Sequence, residues 1–256
     1  MNFLTCSNTD VGIKKRTNQD SYSIISANAL NDRFVLAIVC DGMGGLEKGE
    51  VASAHLICKF KEWFNRDFPR IVSHGNYDDI KYQWNEIVQT ENERIAVYGN
   101  ENGVSLGTTL TASLFAKNKI YIIHVGDSRF YTITDNGLTI ETEDQTLVAR
   151  EVRKGNMTPE QAEADPRRNV LLQCVGASRI VNPQHLELEL KANTTYMLCS
   201  DGFRHKVKKE EIEKAFSPSA LVDRNTMLAN STELIELNKQ RKETDNITVL
   251  LIKTFD

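Results

Sequence analysis

The chain has no apolar run near the roughly 20 residues needed to span a bilayer. Its first ten residues, MNFLTCSNTD, have neither the charged start nor the apolar core of a secretory signal. Neither membrane insertion nor export is expected, and the protein is read as cytoplasmic. The five cysteines, Cys6, Cys40, Cys58, Cys174 and Cys199, are odd in number, widely spaced and never paired as C-x-x-C. That speaks against a disulfide framework or a cysteine zinc cage and fits a reducing compartment. Asn246-Ile247-Thr248, an N-x-T match, is then a chance occurrence, because glycosylation requires secretion. A basic stripe is missing too. The net charge is −4, and the lysine-rich stretch KVKKEE at 206–211 mixes both signs, so no nucleic-acid partner is expected. No linker, low-complexity tract or internal repeat divides the 256 residues, which are read as one domain, 1–256.

What is present is a set of short β-type runs at 21–26, 34–40, 109–116, 119–125, 129–134, 185–190, 195–199 and 246–252. TDNG at 134–137 closes one of them with an Asn-Gly hairpin signal. Helical spacing is clearest over 78–99, where Ile80, Trp84, Ile87, Val88, Ile95 and Tyr98 share a face. Further helices are expected at about 47–65, within 208–216 and within 219–240. A short one is expected near 156–166, with Thr158 as cap, Pro159 in the first position and Gln161 closing a capping box. Tight turns between successive strands predict antiparallel pairing. The runs 34–40, 196–199 and 247–252 are nearly continuous in apolar residues, as strands covered on both faces are. Stacked sheets with helices outside satisfy both requirements.

The stretch FVLAIVCDGMGGLEKGE, residues 34–50, runs seven apolar residues into Asp41 and then a glycine turn. Asp127 follows IYIIHVG, Asp201 follows YMLCS, Asp245 precedes NITVLLI, and Asp20 begins the run DSYSI. Each acid alone reads equally as a turn, a cap or a surface ion pair, for instance Asp127 with Arg129. If the last strand is antiparallel to its neighbours, however, the carboxylates collect at one sheet edge. Packed together they would repel unless a cation neutralised them. Oxygen ligands without His or Cys select Mg²⁺ or Mn²⁺ over zinc. Gly42 and Gly202, each following an acid, would let a metal or substrate approach the backbone. Cys199, inside a buried strand, reads as core filler.

NQDS (18–21), DGMGGLEKGEVAS (41–53), GTTLTASLF (107–115), VGDSRFY (125–131), MLCSDGF (197–203) and TDNITVLLI (244–252) stand in the order found in the metal-dependent serine/threonine phosphatases of the PPM, or type 2C, family. The chain resembles their bacterial branch over nearly its whole length. The resemblance implies an α+β fold: a four-layer αββα sandwich of two mainly antiparallel sheets flanked by helices, with a flap at about 145–176. It implies two Mg²⁺ or Mn²⁺ ions, with a third possible. Asp41 would bridge two ions, the Gly42 carbonyl would bind one, and Asp201 and Asp245 would complete the set. Asp20 would act through water, and Asp127 would hold a third, weaker ion. Hydrolysis of phosphoserine and phosphothreonine in proteins would then proceed by direct attack of a metal-bridging hydroxide, with no phosphoenzyme. A monomer reversing a bacterial serine/threonine kinase is the expected setting.

The chain departs from that pattern in places. The position expected to carry a phosphate-binding arginine is Lys15, followed by Arg16, and lysine supplies charge without a bidentate fork. Met43 stands where eukaryotic relatives carry a histidine. The flap has Asp144-Gln145-Thr146 in place of DHS, and Asp165 where a histidine is usual. His205 occupies a place where some members have an acid near the third ion. Two alternatives stay open on the sequence: a catalytically weak metal-binding module that recognises phosphoproteins, and a phosphatase of a small phosphoester.

Overall fold

The computed structural model describes residues 1–43 and 48–255. Gly44 and Gly45 of the glycine motif, and the expected helix start at 47, lie outside the described residues. Among the described residues ten strands form two antiparallel five-stranded sheets. One sheet contains β2 (Asp20–Ala29), β3 (Asp32–Asp41), β4 (Leu110–Ala116), β5 (Lys119–Val125) and β8 (Gln184–Glu189), in the order β2-β3-β4-β5-β8. The other runs β1-β10-β9-β6-β7, from β1 (Asn2–Asp10), β10 (Ile247–Phe255), β9 (Thr195–Cys199), β6 (Arg129–Thr134) and β7 (Gly137–Ile140). The helices α1 (Gly49–Arg66), α2 (Phe68–His74) and α3 (Asp79–Asn102) cover the first sheet, while α6 (Asp201–Arg204), α7 (Lys209–Phe216) and α8 (Arg224–Gln240) cover the second. The helices α4 (Leu147–Arg153) and α5 (Pro159–Ala164) belong to the segment between β7 and β8.

The period-two alternation of a strand explains the unbroken apolar runs. In β3, Phe34, Leu36, Ile38 and Cys40 pack on the helical side, and Val35, Ala37 and Val39 pack between the sheets. The intersheet layer adds Phe115, Phe130, Tyr196, Leu198, Leu250 and Ile252. Each such side chain, fully buried, contributes about 1.5–3 kcal/mol. The same alternation carries the next odd-numbered residue of β3, Asp41, to the intersheet side at the mouth of the layer. Asp20 is its cross-strand partner in β2 and so faces the same way.

Several local expectations change. β1 was not foreseen: NFLTCSNTD buries only Phe3 and Cys6, and its place comes from nine-residue pairing with β10. α8 falls within the expected 219–240 and starts at Arg224, where the Asp223 carboxylate accepts from Thr226 N at 2.7 Å and caps the helix. On α3, Tyr98 is exposed, whereas Glu91 and Asn92 are buried; Asn92 accepts from Gly176 N at 2.7 Å and Glu91 pairs with His55 at 2.6 Å. The hairpin at 134–137 forms with Thr134 opposite Gly137, and the capping box on α5 forms with Thr158 and Gln161. No helix among the described residues is long and apolar enough to cross a membrane.

Candidate active site

The sequence-predicted acids meet where the two sheets open. Asp41 ends β3, and its backbone is held on both sides. Asp41 N donates to Thr109 Oγ1 at 2.9 Å, while Thr108 Oγ1 and Thr109 N donate to Asp41 O at 3.0 and 2.9 Å. The GTT motif thus sets the position of the acid. Asp20 receives hydroxyls from the opposite sheet: Ser200 Oγ at 2.8 Å and Thr248 Oγ1 at 2.6 Å, both to Oδ2. Ser200 and Thr248 continue the inward-facing sets Tyr196, Leu198 and Leu250, Ile252, so the alternation of three strands builds this contact.

Asp201 opens α6 directly after β9, and Asp245 precedes β10. Asp245 pairs with Lys15 Nζ at 3.0 Å, and both side chains are about a third exposed or less. Asn246 ties the loop before β2 to this point, accepting from Gln19 N at 2.9 Å and donating to Val11 O and Thr17 O at 2.9 and 3.2 Å. Arg16 is exposed and makes no ion pair among the described residues, whereas Lys15 pairs with Asp245.

The glycines at 42 and 202 have a packing role that the sequence did not reveal. A Cβ on Gly42 would lie 2.5 Å from Gly49 O and 2.6 Å from Gln19 O, and one on Gly202 would lie 2.1 Å from Asn246 O. Protein backbone, rather than ligand, fills the space a side chain would need, so these glycines let strand ends and loops carrying the acids close together.

The acids are crowded. Burial, then the charges of Asp20, Asp201, Asp127 and Asp245, push the Asp41 carboxyl well above the usual carboxylate range. Burial, with Asp201 and Asp245 adding to it against the two hydroxyl bonds, raises Asp20 to about 7. Burial and then Asp201 raise Asp127 to about 7. Among the described residues no three acidic, histidine or cysteine side chains already close on one point. Asp20 nevertheless stands across the ladder from Asp41 and accepts from Ser200 beside Asp201, and Asp245 Cβ lies 3.3 Å from where a Cβ on Gly202 would be. Asp20 Oδ1 and Asp201 Oδ1 are buried without a hydrogen-bond donor among the described residues. A carboxylate only accepts, so orphaned oxygens among like charges fit a hard divalent cation. The donor set, carboxylates without thiolate, fits Mg²⁺ or Mn²⁺.

Beside Asp127 lies a group whose ion pairing the sequence did not reveal. Arg129 does not pair with Asp127. Its Nε and Nη2 both reach Asp144, each at 2.7 Å, and Arg204 Nη2 donates to Asp144 Oδ2 at 3.2 Å and to Asp127 O at 3.1 Å. Burial favours a neutral Asp144, but Arg204 and Arg129 hold it below the usual carboxylate range. The flap departures find roles here. Gln145 Oε1 accepts from Gly126 N at 2.8 Å and so steadies the turn carrying Asp127, and Thr146 caps α4 through Ala149 N at 3.2 Å. Asp165 pairs with Arg167 at 2.8 Å. A cleft of about 780 Å³ lies between this cluster and α4 and α5, lined by Asp127, Asp144, Val152, Arg153, Ala162 and Arg204 among others. Of the five acids it touches Asp127 alone, so it is an annex to the carboxylate centre.

Cys199 is buried in β9, where burial pushes its thiol up to about 12; it is core, with no reactive character. Met43 is held through its backbone, its N donating to Gly107 O at 3.1 Å.

The family model for protein phosphatase 2C matches residues 13–239. The chain belongs to the protein phosphatase 2C family. This phosphatase 2C chain is 30% identical over 246 residues to a putative protein phosphatase 2C-type of Streptococcus pyogenes, covering 95% of this chain and 94% of that one. Its fold superposes on that of the S. agalactiae serine/threonine phosphatase with a TM-score of 0.86 at 27% identity, over 99% of this chain and 100% of the other. The catalytic domain of the serine/threonine protein phosphatase PstP, solved in complex with two manganese ions, matches with a TM-score of 0.79 at 30% identity over 99% of both chains.

Proposed function

We propose that this phosphatase 2C is a metal-dependent serine/threonine protein phosphatase, a phosphoric monoester hydrolase acting on phosphorylated proteins. The observation that carries the reading is the placing of Asp20, Asp41, Asp201 and Asp245 together at the mouth of the sheets, with two carboxylate oxygens orphaned among the described residues. Asp41, the Gly42 carbonyl, Asp201 and Asp245 would hold two Mg²⁺ or Mn²⁺ ions, and Asp20, its carboxylate fixed by Ser200 and Thr248, would act through water. Bound ions of this kind acidify water and orient a phosphate. The chain's own contribution is geometric: Thr108 and Thr109 clamp Asp41, and Asn246 clamps the loop that carries Lys15.

Lys15, and beside it Arg16, supply positive charge toward the substrate phosphate; Lys15 is held at the site by Asp245. The residues 1–256 act as a single phosphatase domain, and the flap at 145–176 frames the cleft that receives residues flanking the phosphorylated side chain. A cognate serine/threonine kinase, a cytoplasmic location and a monomeric state complete the reading. The test is hydrolysis of p-nitrophenyl phosphate, a phosphothreonine peptide and small phosphoesters with Mn²⁺, with Mg²⁺ and with excess chelator. Metal-dependent turnover led by the peptide is expected. Folded protein without turnover in any metal would leave a phosphoprotein-recognition module, and preference for a small phosphoester would change the substrate class.

A further inference from the structure

The resemblance implies a third, weaker ion at Asp127, and the surroundings of Asp127 do not fit one. Arg204 side chain, nearly buried, lies against it: Nη2 donates to Asp127 O at 3.1 Å and stands 3.8 Å from Asp127 Oδ2. The same nitrogen is held by Asp144 Oδ2 at 3.2 Å, and Asp144 is itself gripped by both donors of Arg129. The guanidinium is therefore fixed from two sides. His205, the next residue, lies 3.6 Å from Asp201 Oδ2 and 3.6 Å from Glu243 Oε2, so a second basic side chain borders the same space and is itself engaged by two acids. Arginine does not lose its proton in proteins. A divalent ion at Asp127 would have to share one carboxylate with a permanent cation that cannot withdraw.

Arg204 Nε is buried without an acceptor among the described residues. A buried donor left unpaired is a cost to the fold. The side chain is thus placed for its head group, beside Asp127, at some expense elsewhere. From this geometry we infer that Arg204 is a built-in substitute for a third ion. The chain holds two divalent ions, and Asp127 is a positioning residue that seats the guanidinium at the rim of the carboxylate centre. The inference rests on the two-ion reading above.

The test counts Mn²⁺ bound to the full chain by equilibrium dialysis, from micromolar to millimolar metal, with circular dichroism verifying the fold. Wild type binds two ions. Arg204→Ala, with the cation removed, binds three, and the third is lost again in the Arg204→Ala, Asp127→Asn double variant. Asp127→Asn alone still binds two. A wild-type count of three, an Arg204→Ala count that stays at two in folded protein, or a count below two in Asp127→Asn would each overturn the inference. A wild-type count of zero would overturn the two-ion reading itself, with the inference that depends on it.

Discussion

Asp20 and Asp144 are both largely buried carboxylates beside the same cluster of acids, and their charge is handled in opposite ways. Asp144 sits between two guanidinium groups, takes a bidentate bond from Arg129 and stays ionised. Asp20 has two hydroxyl donors, no cation of its own among the described residues and other acids nearby, and its carboxyl rises to about 7. One region is neutralised by the protein and the other is left for something else to neutralise. The difference separates structural charge from charge kept available for a ligand: a fold tolerates an unbalanced buried cluster where binding restores the balance.

The comparison breaks most sharply at Asp201. Asp201→Asn should abolish metal-stimulated turnover, a loss larger than the about 10–100-fold that outer partners of a metal ligand contribute; retained activity with Mn²⁺ would remove this acid from the ligand set. On the balanced side, Asp144→Ala strands two buried guanidiniums and should destabilise the protein by about 3–5 kcal/mol, read from urea unfolding midpoints.

The unbalanced side predicts a pH dependence of fixed sign. Asp20 and Asp127 carry folded pKa values of about 7 against an ordinary 3.8, so between those values the folded state binds more protons than the unfolded state. Metal-free protein in chelator should lose stability as pH rises through that window, and Mn²⁺ should abolish the loss. Asp20→Asn should flatten part of the slope and stabilise the metal-free form at its upper end by about 1–2 kcal/mol. A metal-free protein whose stability rises with pH there would contradict the unbalanced state. The smallest effect belongs to Lys15, partly exposed and paired with Asp245. Lys15→Ala should change stability by about 0–1 kcal/mol, with its measurable consequence a raised KM for phosphopeptide.

Much of this organisation was legible in the chain. Continuous apolar runs such as 34–40 announced strands covered on both faces, and their terminal acids announced a shared edge. β1 was not legible, because a strand that buries Phe3 and Cys6 alone carries little pattern of its own and depends on β10 to pair it. The ion pairs at Asp144 were illegible for a related reason. Arg129 lies two residues from Asp127, but strand alternation and the turn at Gly126 point it to a residue 15 positions away, at 2.7 Å. The glycines were noticed for the right feature, the missing Cβ, while the atoms that need the room are backbone atoms from distant loops.

By itself the sequence determined the periodicities, the caps such as Thr158 and Asp223, and the placing of acids at the ends of doubly buried strands, because these depend on neighbours within a few residues. Tertiary structure alone decided which carboxylates crowd together and which meet an arginine. Coulomb interaction depends on distance in space and on local burial, and only the stacking of two sheets brings Ser200 and Thr248 to Asp20, and Arg204 to Asp127.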